Sequence, residues 1–207
     1  LSVIDGRARR LERSGSLDPQ QLRNVEGIRS QVGRLTRTVR QLLDYCRPAA
    51  TQPRELTPAL LIEGVIEAIR PELEAAERRL QTRIPAELPA FCGDAGRLEL
   101  ALLNLVRNAL QASISQIGIA AEADAAWLTI RVTDDGPGLP PKHDLPTLLE
   151  PFFTTKSPGE GTGLGLAIVQ AVAEEHGGRL ELVNSAGGGC EARLQLPLTG
   201  TAEEAKA

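Results

Sequence analysis

Apolar residues recur at intervals of three and four through the first 48 residues of the chain, and this pattern stops at a proline-rich segment. Such spacing places apolar side chains on one face of a helix. The longer stripe follows Asp18-Pro19, a capping residue and a proline suited to the first helical position. Its members are Leu22, Val25, Ile28, Val32, Leu35, Val39 and Leu42. A shorter stripe precedes the break at Ser14-Gly15-Ser16, so the region predicts an α-helical hairpin.

Two helices bury too little apolar surface to be stable by themselves. The stripes therefore pack either against a second copy of the chain, as a four-helix bundle, or against the rest of the same chain. We favour the second copy and expect a homodimer through the hairpin. Residues 1–48 hold ten Arg and five acidic residues, a net charge of +5, whereas the remainder holds 13 basic and 22 acidic residues, a net charge of −9. We interpret the Arg residues as solvated helix faces, with no direct nucleic-acid contact; docking to nucleic acid, an anionic membrane or an acidic protein is the alternative.

The composition indicates a folded protein of a reducing compartment. Apolar residues make up 42% and charged residues 24% of the chain, as in ordinary globular domains. No apolar run approaches the roughly 18 residues that a membrane helix needs, and the start LSVIDGRARR is not a secretory signal. The three cysteines are far apart and predict neither a disulfide framework nor a zinc site. We expect a cytoplasmic segment without membrane contact, which leaves open a membrane anchor elsewhere in the whole protein.

Prolines punctuate the sequence RPAATQPRELTP, which therefore predicts a linker before a new domain. We assign the hairpin, the linker, the second domain and a frayed tail to residues 1–48, 49–55, 56–198 and 199–207. Helices are predicted over about 58–77, 94–112 and 163–176, and strands over LQTRI, QIGIAA, WLTIRV, RLELV and CEARLQL. This order predicts an α/β fold, a two-layer sandwich in which helices cover one face of a mixed sheet.

A long stretch of the second domain has neither a helical nor a strand period. Residues 139–162 contain five Pro and two Gly. Loops of this length within a domain are usually functional, and we expect a lid over a binding site.

Two asparagines stand four residues apart on a helix that is otherwise apolar on its buried side. Asn104 and Asn108 should therefore emerge on the same face. Carboxamide oxygens are hard, neutral donors suited to Mg²⁺, which takes its other ligands from water and phosphates. Taken alone, a pair of helical asparagines is more often a surface or capping feature.

Two glycine-containing motifs follow. Asp134 begins the sequence DDGPG directly after a strand, where its carboxylate can accept a hydrogen bond from an exocyclic amino group; a plain turn is the alternative. The sequence GTGLGL, residues 161–166, opens a helix whose N-terminus favours phosphate. It follows a loop rather than a strand, so it matches neither the dinucleotide fingerprint nor the phosphate loop of the GKS/T type.

These three pieces, with PFFTTK between the second and the third, resemble a known family. NLVRNA, DDGPG, PFFTTK and GTGLGL are similar to the N, G1, F and G2 boxes of histidine kinase ATP-binding domains, over about residues 56–197. The resemblance implies the Bergerat fold, shared with Hsp90, type II topoisomerases and MutL. PFFTTK is typical of the kinases, and Asn104 stands where the ATP-hydrolysing relatives commonly place a glutamate base. Since an amide cannot take a proton, phosphoryl transfer is implied rather than hydrolysis.

The resemblance also implies roles for individual residues. Asp134 would bind the adenine amino group, and Asn104 and Asn108 would bind Mg²⁺ and the phosphates of ATP. Phe152 and Phe153 would anchor the lid near the nucleotide, and Lys156 would reach phosphate; a hydrophobic plug and a solvated lysine are the plain alternatives. Backbone contact with the nucleotide is implied for Gly136, Gly138, Gly161, Thr162, Gly163, Leu164 and Gly165.

The hairpin resembles the second part of the family's dimerisation and phosphotransfer domain. LSVIDGRARRL looks like the stretch just after the H box, so the phosphorylated histidine is expected upstream of Leu1. His143 falls in the lid and His176 at the end of the G2 helix, where a capping or solvated role is expected. The resemblance implies a protein-histidine kinase that passes phosphate to a response regulator receiver domain. The alternatives are a serine kinase of the anti-sigma kind and a non-catalytic nucleotide-binding scaffold.

Overall fold

The computed structural model describes residues 1–15, 17–46, 53–140, 145–156, 161–185 and 187–198. The chain divides into two units, Leu1–Arg47 with Thr154–Thr162, and Pro48–Phe153 with Gly163–Ala207. Among the helices of the described ranges, none is both long and apolar enough to cross a membrane.

The first unit contains the predicted helical hairpin. Helix α1 spans Ser2–Arg13 and helix α2 spans Pro19–Cys46. The Asp18 carboxylate caps α2, because its Oδ1 accepts hydrogen bonds from the backbone N–H groups of Gln20 and Gln21, both at 2.8 Å. Arg29 of α2 joins the two helices through ion pairs with Asp5 and Glu12 of α1.

The apolar stripe of the hairpin is only partly covered within this unit. Its buried members are Ala8, Val25 and Val32. The exposed members include Ile4, Leu11, Ile28, Leu35 and Val39. The stripe was predicted to need a partner surface, and that prediction stays open.

The second unit contains seven strands and four helices in its described residues. The helices are α3 (Pro58–Ala75), α4 (Ala95–Ala112), α5 (Leu145–Leu149) and α6 (Gly165–Glu175). The strands are β1 (Arg54–Leu56), β2 (Arg79–Arg83), β3 (Phe91–Gly93), β4 (Gln116–Ala123), β5 (Trp127–Asp134), β6 (Arg179–Asn184) and β7 (Cys190–Pro197).

Five strands form one mixed sheet in the order β2-β4-β5-β7-β6. Only the β2–β4 pair is parallel; the three other pairs are antiparallel. Alternate residues of the central strand β5, Leu128, Ile130 and Val132, are buried in one core with α3, α4 and α6, whereas Trp127 and Arg131 remain partly exposed. The predicted two-layer α/β sandwich with helices on one face is therefore confirmed.

Three short elements depart from the sequence prediction. Strands β1 and β3 pair antiparallel as a separate two-stranded sheet, and β1 begins inside the segment predicted as a linker. A strand of three residues is too short to show alternation, which explains why the sequence did not reveal it. Helix α5 lies inside the stretch predicted to have no helical period, where Pro146 concealed the pattern.

Candidate functional site

The two predicted amides of α4 meet the first residue of α6. A Cβ atom at Gly165 would lie 3.3 Å from Asn104 Oδ1 and 3.4 Å from Asn108 Nδ2. Asn104 is 9% exposed, and its Nδ2 donates to the Leu100 carbonyl at 2.9 Å, one turn earlier. This bond holds the side chain so that its oxygen faces the start of α6. The structure thus brings the N box and the G2 box together.

Asp134 ends the central strand β5 and keeps one carboxylate oxygen uncommitted. Its Oδ1 accepts hydrogen bonds from the backbone N–H groups of Gly136, at 2.9 Å, and Cys190, at 3.3 Å. Its Oδ2 accepts none from the part of the chain that the structure describes. Burial raises the pKa of Asp134, against the effect of these two bonds. The result is a half-buried acceptor with a fixed orientation.

The thiol of Cys190 lies beside this carboxylate and stays protonated. Burial, the charge of Asp134 and the charge of Glu191 raise the pKa of Cys190 to about 12. A thiol is a weak nucleophile when it is not ionised. Cys190 therefore adds no charge and no reactive group at this end of the sheet.

Asp135 has a structural role that was not predicted from the sequence. Its carboxylate accepts hydrogen bonds from the Ser115 hydroxyl at 2.6 Å and from the backbone N–H groups of Ile114, Ser115 and Gln116. The bond from the Ser115 hydroxyl and these backbone bonds hold the pKa of Asp135 well below its usual range. Asp135 thereby ties the G1 loop to the connection between α4 and β4.

Close packing explains the glycines of the G1 loop. A Cβ at Gly136 would lie 2.3 Å from the Ala112 carbonyl oxygen at the end of α4. Gly138 has φ +80°, and a Cβ there would lie 2.6 Å from Asn184 Oδ1. Asn184 also accepts a hydrogen bond from the Leu139 N–H at 2.7 Å. The same crowding applies to Gly189, where an added Cβ would lie 1.8 Å from the Asp134 carbonyl oxygen.

Asn184 and Gly189 were not among the predicted site residues. Both lie on the β6–β7 hairpin, about 50 residues from the G1 loop along the chain. Their local sequence does not indicate a contact with the G1 loop, because strand order alone brings β7 next to β5. The glycine run GGG at 187–189 was the available signal, since glycine inside or beside a strand marks close backbone approach.

A backbone contact between Phe152 and Gly163, called the joint below, connects the F box and the G2 box at the start of α6. Phe152 has φ +69° and is 61% exposed, and its N–H donates to the Gly163 carbonyl at 3.0 Å. Gly163 has φ +68°, and a Cβ there would lie 2.3 Å from the Phe152 carbonyl carbon. Phe153 packs against the core, and Leu164 is fully buried. The roles predicted for Phe152 and Phe153 as lid anchors stay predictions.

Three other predicted residues belong to the first unit. Thr154–Thr162 clusters with the helical hairpin, and Lys156, Gly161 and Thr162 lie in that segment. Within it, the Lys156 N–H donates to Thr154 Oγ1 at 3.2 Å. The phosphate contacts predicted for these residues stay predictions. His143 lies outside the described residues.

The family model described as "Histidine kinase-, DNA gyrase B-, and HSP90-like ATPase" matches residues 93–200. The sensor histidine kinase ZraS of Escherichia coli (strain K12) is 31% identical over 207 residues, which cover 99% of this chain and 44% of ZraS. The chain thus spans less than half the length of this curated relative.

The solved structures that share the fold include those of ShkA and ThkA. Full-length ShkA in complex with AMPPNP gives a TM-score of 0.78 at 24% identity, over 97% of this chain and 44% of ShkA. The nucleotide-free catalytic domain of the histidine kinase ThkA gives a TM-score of 0.65 at 27% identity, over 72% of this chain and 99% of that domain.

The match of the family model covers more than half of the chain and contains the Asn104–Asn108–Gly165 contact and Asp134. The resemblance drawn from the four boxes is confirmed, and the sensor histidine kinases are favoured over the alternatives from the same fold. The chain belongs to the family of histidine kinase-, DNA gyrase B- and HSP90-like ATPases, and its relative ZraS is a sensor histidine kinase.

Proposed function

We propose that this chain is the ATP-binding catalytic region of a sensor histidine kinase, which transfers the γ-phosphate of ATP to a histidine for relay to a response regulator aspartate. The observation that carries the proposal is the position of the Asn104 and Asn108 amides beside Gly165 at the start of α6, where an added Cβ would lie 3.3 and 3.4 Å from them. Two amide side chains and a helix N-terminus that point at one place form a site for phosphates and their cation.

Asp134 supplies the selectivity for adenine. The free Oδ2 can accept a hydrogen bond from the exocyclic amino group of adenine, whereas guanine carries a carbonyl oxygen there and would face it with like partial charge. Because Oδ1 is held by the N–H groups of Gly136 and Cys190, the second oxygen is already oriented before the base arrives. Preorganisation of this kind reduces the entropy lost on binding.

The amide oxygens of Asn104 and Asn108 fit Mg²⁺ in chemistry, since both are neutral oxygen donors at the phosphate end of the site. Mg²⁺ would neutralise charge on the β- and γ-phosphates. The backbone N–H groups at the start of α6 bind phosphate oxygens, and the helix dipole favours their charge. Asn104 offers no base for activating water, so the site positions the γ-phosphate for an incoming imidazole.

The partners follow from this role. Phosphoryl transfer requires an acceptor histidine on dimerisation helices, and the exposed apolar stripe of α1 and α2 suits pairing with a second copy. A receiver domain then takes the phosphate. A serine kinase of the anti-sigma kind is disfavoured, because such a kinase has no use for a long amphipathic hairpin.

The proposal is tested by nucleotide titration and by transfer to a separately supplied H-box hairpin of a sensor histidine kinase. The chain should bind a fluorescent ATP analogue and should label that hairpin on histidine. Asp134→Asn should weaken binding at least tenfold, because it replaces an acceptor with a group that presents a donor at one position. The unliganded protein should not melt lower, since burial of this carboxylate already disfavours its charge.

Asp124→Asn is the matched control. Asp124 also accepts two backbone hydrogen bonds, from Ala126 and Trp127, but it lies in the turn between β4 and β5. This control should bind the analogue like the original chain. Equal affinity in Asp134→Asn would remove Asp134 from the adenine site, and labelling of a serine in place of the histidine would favour the alternative kinase.

A further inference from the structure

We propose that His176 is a positioning residue for nucleotide binding, which holds the far ends of α4 and α6 together and so keeps Gly165 against Asn104 and Asn108. This inference rests on the proposed function of the same site. It concerns a residue at the opposite end of both helices from the phosphates.

Both ring nitrogens of His176 have partners. Nε2 accepts a hydrogen bond from the Asp94 backbone N–H at 3.0 Å, and Nδ1 lies 2.7 Å from the Val172 carbonyl oxygen. A carbonyl can only accept and an N–H can only donate, so these two hydrogen bonds require the tautomer with its proton on Nδ1. The ring also lies close to the end of β3, since a Cβ at Gly93 would lie 3.2 Å from His176 Cδ2.

The two contacts act over different ranges. Val172 lies one turn earlier in α6, so its bond only shapes the end of that helix. Asp94 is 82 positions away and is the N-cap residue of α4, with Oδ1 accepting the Arg97 N–H at 3.1 Å. The Asp94 contact therefore joins one helix to the other.

An ion pair reinforces the same junction. Arg97, in the first turn of α4, binds Glu175, the last residue of α6, through Nε and Nη2 at 2.9 and 2.5 Å. Their side chains are only 12% and 19% exposed. A two-pronged, poorly solvated pair of this kind is directional and resists sliding of one helix along the other.

Helices α4 and α6 each connect this junction to the candidate site. Helix α6 has 11 residues, about 16 Å at about 1.5 Å per residue, and Gly165 is at its other end. Arg97 and Asn108 are separated by a similar length along α4. The helices run antiparallel and are fixed at both ends, so release of the His176 end lets α6 tilt and moves the Gly165 backbone relative to the two amides.

Two conservative variants separate the helix-joining contact from the local one. In His176→Gln, the amide oxygen can reach the position of Nε2 and accept the Asp94 N–H. In His176→Asn, the shorter side chain can replace the Nδ1 donor to Val172 but cannot reach Asp94. A role limited to capping α6 would give the opposite ranking of the two variants.

The experiment measures the dissociation constant of a fluorescent ATP analogue with Mg²⁺, well below the melting temperature of each variant. His176→Asn should raise it about fivefold, the ratio that corresponds to loss of one hydrogen bond of ~1 kcal/mol. His176→Gln should stay within twofold of the original chain. Glu175→Gln, which weakens the ion pair, should shift affinity in the same direction as His176→Asn, and this variant serves if His176→Asn does not fold.

Glu72→Gln is the control on the other side of α4. It weakens the exposed pair between Glu72 of α3 and Arg107, and it should leave the affinity unchanged. Equal affinities in all variants, with only lower melting temperatures, would overturn the positioning role and leave the proposed function intact. Absence of binding in the original chain would overturn both. A greater loss in His176→Gln than in His176→Asn would assign His176 to helix capping alone.

Discussion

At the scale of single residues, two adjacent aspartates of the G1 loop have different roles. Asp134 keeps one oxygen free, and burial raises its pKa; Asp135 accepts hydrogen bonds from the Ser115 hydroxyl and three backbone N–H groups, and its pKa is lowered. The resemblance of DDGPG to the G1 box implies that Asp134 binds the adenine amino group, and this role stays a prediction. The sequence did not predict the role of Asp135, because its partners Ile114, Ser115 and Gln116 lie about 20 positions earlier, after α4.

Asp135→Ala should lower the free energy of unfolding at neutral pH, because four donors would lose their acceptor. A carboxyl whose folded-state pKa is lowered contributes stability above its unfolded pKa and loses this contribution as pH falls. The difference between the original chain and Asp135→Ala should therefore be full above about pH 5 and shrink as pH falls below about 4. Urea unfolding at several pH values measures it, and a difference that grows on acidification would contradict the hydrogen-bond network.

At the scale of elements, the sequence predicted best where the apolar period was long. Strands β4, β5 and β7 each have eight residues, and their alternation was visible. Strands β1 and β3 were missed because a pair of three-residue strands depends on a partner about 35 positions away rather than on its own pattern. The same limit applied to the site. The Phe152–Gly163 joint depends on a positive φ angle at both residues, which no local motif predicts.

Gly163→Ala should disrupt this joint. At φ +68° a side chain costs about 1 kcal/mol or more, and the added methyl would collide with the Phe152 carbonyl carbon. Because the strain falls at the start of α6, nucleotide affinity should drop by more than tenfold, with a melting temperature a few degrees lower. Fluorescent nucleotide titration and calorimetry measure the two effects.

Gly64→Ala is the control for this substitution. Gly64 lies in the middle of α3, and a Cβ there has nothing within 4 Å. Alanine is the better helix former, so this variant should be unchanged or up to about 1 kcal/mol more stable, with unchanged affinity. A Gly163→Ala protein that binds nucleotide like the control would show that the joint does not position the G2 backbone.

At the scale of the whole molecule, the chain consists of a helical unit with an exposed apolar stripe and an α/β unit with its own continuous core. The phosphoryl transfer predicted for the second unit needs an acceptor imidazole, and His176 of this unit does not fill that role. We therefore expect this protein to bind nucleotide without transferring phosphate to its own His176.

The chain should accordingly bind Mg-ATP without labelling itself on His176. In-line transfer needs an imidazole nitrogen with a free lone pair next to the γ-phosphate. The Nε2 lone pair of His176 accepts the Asp94 N–H, and the Nδ1–H donates to the Val172 carbonyl oxygen. The ring also lies at the end of α6 opposite Gly165, about 16 Å away along the helix.

Incubation with γ-labelled ATP, followed by mass spectrometry at alkaline pH, tests this expectation. Peptides that contain His176 should carry no phosphate, while an H-box hairpin of a sensor histidine kinase supplied in trans should acquire an acid-labile label. His143→Gln serves as the companion variant and should leave both results unchanged. Phosphate on His176 would mean that α6 leaves its contact with Asp94 during turnover, and the fixed α4–α6 pair inferred from the structure would then be wrong.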